Sequence, residues 1–166
     1  MKFGIRATIA GVLVAGGVAV AGGIASPASA APLPGERFLN SLGLGSCLAS
    51  SGTGISADRC ATVLSQRWTS PTIEGEPGDY NTIHQVRSLN TENCLTSDAG
   101  GKVFMADCTT TNSAGLWRRA PGAVWVSELT GRCLETDTNG RIFSSTCDES
   151  RPTDAQRWYA GNGGGV

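Results

Sequence analysis

The sequence is poor in the groups that catalysis, metal binding and nucleic-acid binding demand. It holds one histidine, His84, and its aromatics make up only 6% of 166 residues. No Cys-x-x-Cys pair occurs, so the closely spaced ligands of a zinc site are missing, and neither metal nor cofactor is expected. His84 lies in a strand-like stretch with no companion motif to activate a nucleophile, and reads as a partly exposed strand residue. Fourteen carboxylates always permit some pair to be drawn as a glycosidase acid and nucleophile, so their presence argues for no enzyme. Gly163-Gly164-Gly165 opens no helix and is not a phosphate loop; residues 161–166 read as a flexible tail. Basic residues number 13 against 14 acidic ones, and they are scattered, with Arg118-Arg119 the one adjacent pair. That distribution leaves no electrostatic footprint for nucleic acid. No window of a dozen residues beyond the first segment shows helical apolar periodicity, which points to an all-β domain.

The first segment has its own pattern. Lys2 and Arg6 precede an uncharged run from Ala7 to Ala25, followed by Pro27 and the triplet Ala28-Ser29-Ala30. A basic start, an apolar stretch and an A-x-A end form an export signal, expected to be cleaved after residue 30. A transmembrane anchor is the rival reading, since the run is just long enough to span a bilayer. Five glycines within it and the break at Pro27 favour cleavage, and no cysteine stands near the cut to carry a lipid. The expected mature protein is therefore secreted, with no stable membrane insertion. Residues 31–160 fit one domain. Without Lys2 and Arg6, 11 of the 13 basic residues remain against 14 acidic ones.

What the chain does have is six cysteines in a pattern. Each of Cys47, Cys94 and Cys133 is followed by Leu, and Cys60, Cys108 and Cys147 come 13, 14 and 14 positions later. A tryptophan then closes each unit, in Gln66-Arg67-Trp68, Gly115-Leu116-Trp117 and Gln156-Arg157-Trp158. The chain is thus a threefold repeat, over about 36–70, 78–119 and 122–160. Between the cysteines lie turn-rich stretches, Ser50–Gly54, Asp98–Gly101 and Asp137–Gly140, flanked by β-prone pieces such as Val103–Met105 and Arg141–Phe143. Ile83–Val86 and Ala123–Val126 are further strand candidates. An even cysteine count in an exported chain reads as disulfides. Six cysteines allow fifteen pairings, but a unit repeated three times should bridge the same way each time: Cys47 with Cys60, Cys94 with Cys108, Cys133 with Cys147.

Cys-Leu, a Gly/Asp turn, a second Cys and a closing Gln-x-Trp, three times over, resemble the ricin B-chain type lectins. The resemblance spans Phe38 to Tyr159. It implies a β-trefoil of twelve strands, six forming a barrel and three hairpins capping it, with Trp68, Trp117 and Trp158 in the core. It also implies where sugar sites belong. Such lectins place an Asp two residues after the first Cys, an aromatic two before the second, and an Asn before the Gln of Gln-x-Trp. Here the first position holds Ala49, Thr96 and Glu135, the second Asp58, Ala106 and Ser145, and the third Ser65, Ala114 and Ala155. None keeps the family residue, and Glu135 alone is chemically close.

Asp98 and Asp137 read first as turn residues. Glu135, Asp137 and Asn139 lie at alternate positions, so a strand running through them would present all three on one face. With Gln156 nearby under the family geometry, they form the expected hydroxyl-binding patch. Trp125 lies between Val124 and Val126. If those valines face the core, its ring is exposed as a stacking platform. The expected function is a non-catalytic carbohydrate-binding module with weak or altered specificity, its partner a glycan or polysaccharide. The alternative is a trefoil scaffold that binds a protein partner.

Overall fold

The computed structural model describes residues 34–40, 42, 45–109 and 112–161. The chain divides at Ala31/Pro32, and the second unit carries everything described below. The expected export signal and residues 162–166 of the expected tail lie outside the described residues. Gly161, read as the first tail residue, instead ends a strand and pairs with Arg37.

Each repeat contributes an opening strand, a hairpin and a closing strand. The first has β1 (Arg37–Asn40), β2 (Ser46–Ser51), β3 (Gly54–Arg59) and β4 (Trp68–Thr69). A short β5 (Thr72–Glu74) links it to the second, made of β6 (Ile83–His84), β7 (Arg87–Ser88), β8 (Cys94–Ser97), β9 (Val103–Ala106) and β10 (Trp117–Ala120). The third has β11 (Val124–Ser127), β12 (Cys133–Thr136), β13 (Ile142–Ser145) and β14 (Trp158–Gly161). One pairing path then occurs three times: β14-β1-β2-β3, β4-β7-β8-β9 and β10-β11-β12-β13. The closing strand of each repeat pairs with the opening strand of the next, and β14 returns to β1. This is the β-trefoil. Strands β6 and β7 act together as one opening strand: His84 faces Trp117 and Ser88 faces Trp68, as Glu36 faces Trp68 and Asn40 faces Trp158. Only β5 lies outside the twelve-strand plan. Among the described residues no helix is long and apolar enough to cross a membrane.

The repeat motif is explained by the core. Trp68, Trp117 and Trp158 are fully buried, and the indole N–H of each donates to the carbonyl of the Leu after its repeat's first Cys: Leu48 at 3.0 Å, Leu95 at 2.9 Å and Leu134 at 3.1 Å. A buried indole needs such a partner, which is why Trp and Cys-Leu recur together. The disulfides pair as the repeat demands, Cys47–Cys60, Cys94–Cys108 and Cys133–Cys147, with Cα separations of 4.9, 5.0 and 4.9 Å.

The three hairpins interlock in a ring. Met105 N–H donates to Thr53 O at 3.2 Å, Ser144 N–H to Gly101 O at 2.8 Å, and Ala57 N–H to Gly140 O at 2.8 Å. Gly140 has φ +77°, and a Cβ there would drive into the backbone carbonyl of Ala57. Gly131 has a similar φ of +67° with nothing within 4 Å. Gly131→Ala should therefore cost only the left-handed strain, about 1–2 kcal/mol. Gly140→Ala adds a steric clash that opens the hairpin ring, for about 3 kcal/mol or more. Urea unfolding of the two variants checks this, and equal losses would contradict the ring.

Candidate functional site

The third repeat builds one cluster from three separated places in the chain. Glu135 projects from β12, and Ser145 from β13. Gln156 comes from a single 3-10 turn, Asp154–Gln156, whose first backbone groups it helps hold: Thr153 N–H donates to Gln156 Oε1 at 3.3 Å. The Gln156 amide nitrogen lies 2.9 Å from Glu135 Oε2, 2.8 Å from Ser145 Oγ and 3.0 Å from Thr146 O. Ser145 Oγ also donates to Glu135 Oε2. One carboxylate oxygen is thus fully engaged. The other, Oε1, has no hydrogen-bond partner among the described residues, and Glu135 is only half-buried. An orienting amide on one oxygen and a free acceptor on the other suit recognition of a ligand hydroxyl.

The sequence reading missed Phe143. It sits directly across from Glu135 in the β12–β13 ladder, so the two side chains share a face. That face points away from the core: Ile142 and Ser144 are buried, while Phe143 and Ser145 are partly exposed. The aromatic has moved two residues along the strand from the family position, now held by Ser145, and stays on the same face because the strand period is two. The Arg141 guanidinium lies over its ring at 5.3 Å and pairs with Asp137 Oδ2 at 3.1 Å.

The first and second repeats lack this set. Gln66 makes the same backbone contact, donating to Arg59 O at 2.9 Å, but Ala49 offers it no carboxylate. In the second repeat Gly115 replaces Gln, and Thr96 is buried with its hydroxyl on Cys94 O at 3.1 Å.

The five residues expected to bind ligand therefore fall in three places. Glu135 and Gln156 meet. Asp137 and Asn139 do not extend their face, because β12 ends at Thr136 and both belong to the following turn. Asp137 Oδ1 accepts the N–H groups of Asn139 at 2.9 Å and Arg141 at 3.0 Å. Its carboxyl is held below the ordinary value, chiefly by the Arg141 N–H, with Asn139 N–H and the Arg141 charge adding to it. Asp98 closes the second hairpin in the same way, accepting Lys102 N–H at 2.9 Å. The 136–140 turn borders a separate cleft of about 330 Å³ against Leu42, Ser46 and Ala57.

Trp125 is not a stacking platform. It is 2% exposed, and its ring packs against Phe38 at 5.0 Å and His84 at 5.3 Å. Strand β11 is buried on both faces: Val124 and Val126 pack with Ala120 and Cys133, while Trp125 enters the main core. Trp125 occupies the place that Phe38 and Val86 take in the other repeats, one residue before the strand partner of each first cysteine. His84 is likewise buried rather than partly exposed, with Nδ1 2.9 Å from Ser70 O and Nε2 2.7 Å from Thr82 Oγ1.

The model of the ricin-type beta-trefoil lectin domain matches residues 38–158. No curated protein matches the chain. Among solved structures, GalNAc-T7 with UDP, GalNAc and Mn2+ is similar at 18% identity and TM-score 0.54, over 77% of this chain and 22% of that one. The Haemophilus ducreyi cytolethal distending toxin gives 18% identity and TM-score 0.57, over 76% of this chain and 85% of that one. A Clostridium perfringens endo-β-galactosidase that releases GlcNAcα1-4Gal gives 13% and 0.60, over 77% and 32%. At these identities the likeness is one of fold.

Proposed function

Because the chain belongs to the ricin-type β-trefoil lectin domain family, we propose that it works as an exported, non-catalytic carbohydrate-binding module whose binding is weak and concentrated in the third repeat. The observation that carries this reading is the Glu135 carboxylate across from Phe143, with Oε2 held by Gln156 and Oε1 without a hydrogen-bond partner among the described residues. A carboxylate oxygen accepts hydroxyls, and a ring offers an apolar wall to a sugar's C–H face. Three disulfides support an oxidising, extracellular setting.

Weakness follows from what the site lacks. Each sugar hydrogen bond replaces one to water and contributes about 1 kcal/mol net. One carboxylate oxygen is already engaged by Gln156 and Ser145, and Arg141 shares the Phe143 ring. Little is left to offset the cost of association. A monosaccharide should bind with Kd of about 1 mM or weaker, roughly 4 kcal/mol or less. Calorimetric titration with galactose and N-acetylglucosamine, on the native protein and on Glu135→Ala, tests this. The expected result is millimolar binding to the native protein and none to the variant. Micromolar binding that survives Glu135→Ala would place the site elsewhere, and silence toward every mono- and polysaccharide would point to a protein-binding scaffold instead.

A further inference from the structure

The outward face of the hairpin cap carries a second pattern, of which the neutral-sugar site uses only Phe143. Six and four residues before the second cysteine, the repeats hold Gly54 and Ser56, Lys102 and Phe104, and Arg141 and Phe143. In the second and third repeats the cation lies over the ring, Lys102 Nζ at 5.9 Å from Phe104 and Arg141 at 5.3 Å from Phe143. The two pairs are neighbours, because Lys102 bridges Phe143 across the repeat boundary. Phe143 thus stands between Glu135 on one flanking strand and Lys102 on the other, all on one face.

The charges on this face are not equally matched. Arg141 is paired with Asp137, and one oxygen of Glu135 is engaged by Gln156 and Ser145. Asp98 accepts from the backbone N–H of Lys102, not from its ammonium. Among the described residues no carboxylate lies within ion-pair distance of Lys102 Nζ, and the side chain is exposed. Phe143 thus has a hydroxyl acceptor on one flanking strand and, on the other, a lysine whose ammonium has no carboxylate partner among the described residues.

We infer that the third-repeat site prefers saccharides that bear an acidic group, their hydroxyls turned to Glu135 and their carboxylate or sulfate to Lys102. The inference rests on the lectin reading above. An exposed charge pair contributes little, so the preference should be about three- to fivefold over the neutral analogue, and should fade at high salt. The test titrates a galacturonic-acid trisaccharide, a 6-sulfated galactose trisaccharide and the neutral galactose trisaccharide into native protein, Lys102→Gln and Lys102→Glu. Melting temperatures confirm that the variants are folded. The expected result is an acidic-to-neutral affinity ratio of about three to five in the native protein, near one in Lys102→Gln and below one in Lys102→Glu. The carboxylate and sulfate arms show which acid is read. A native ratio of one, or a ratio unchanged in Lys102→Gln, overturns the inference and leaves the lectin reading standing. Binding of none of the three overturns the inference, and silence toward every other saccharide as well would remove the lectin reading with it.

Discussion

Reduction of all three disulfides is expected to unfold the domain at room temperature. Each bridge closes a loop of 13 or 14 residues, which in the chain-entropy account contributes about 3 kcal/mol. Three such losses approach the whole stability of a typical domain, about 5–15 kcal/mol. Little else compensates, because the strands are short and the core is held by a handful of large side chains. The first cysteine of each pair is itself buried to within 1% of full enclosure, so the bridges are part of the core they tie together. Near-ultraviolet circular dichroism before and after reduction, with a thiol count, reads the outcome. A cooperative transition retained by fully reduced protein would show that the trefoil stands on apolar packing alone.

The second large effect lies at the closing tryptophans. Trp117→Ala should cost about 3–5 kcal/mol, from the cavity and the lost burial. The carbonyl of Leu95 would also lose the indole N–H that satisfies it. Trp117→Phe separates the two contributions: it keeps most of the apolar volume but leaves that carbonyl unpaired, for about 1–3 kcal/mol. The exposed Tyr80→Ala serves as the control, within about 0.5 kcal/mol of the native protein. Denaturant midpoints of the three variants should fall in that order. Equal values for Trp117→Phe and native protein would mean that the Leu carbonyl bond carries no weight.

These same residues explain why the fold could be read from sequence. Cys-Leu, the hairpin glycines and the closing Trp mark one structural unit, because the indole reaches back to the Leu carbonyl in every repeat. Three copies leave little freedom in topology or disulfide pairing. The site was less legible. Local alternation around Trp125 points outward only if the strand has one solvated face, and β11 has none. Its register carried the better signal: Trp125 stands eight residues before Cys133, as the core residue Val86 stands eight before Cys94. Asp137 and Asn139 alternate with Glu135 in sequence, but the strand stops at Thr136 and turn chemistry decides their roles. Phe143 stands four places before Cys147 rather than the family's two, and a shift of two along a strand preserves the face.

Sugar binding at Glu135, Phe143 and Gln156 has a direct reporter in the site itself. The Gln156 side-chain amide touches the Glu135 carboxylate directly, so its NMR signal reports on that oxygen pair without any substitution. Titration with galactose to several times the millimolar dissociation constant should move this amide signal most, together with the backbone amides of Glu135 and Phe143. The corresponding amide of Gln66, beside Ala49, should stay still. Shifts confined to the first repeat, or to the 136–140 cleft with Gln156 unmoved, would contradict the account.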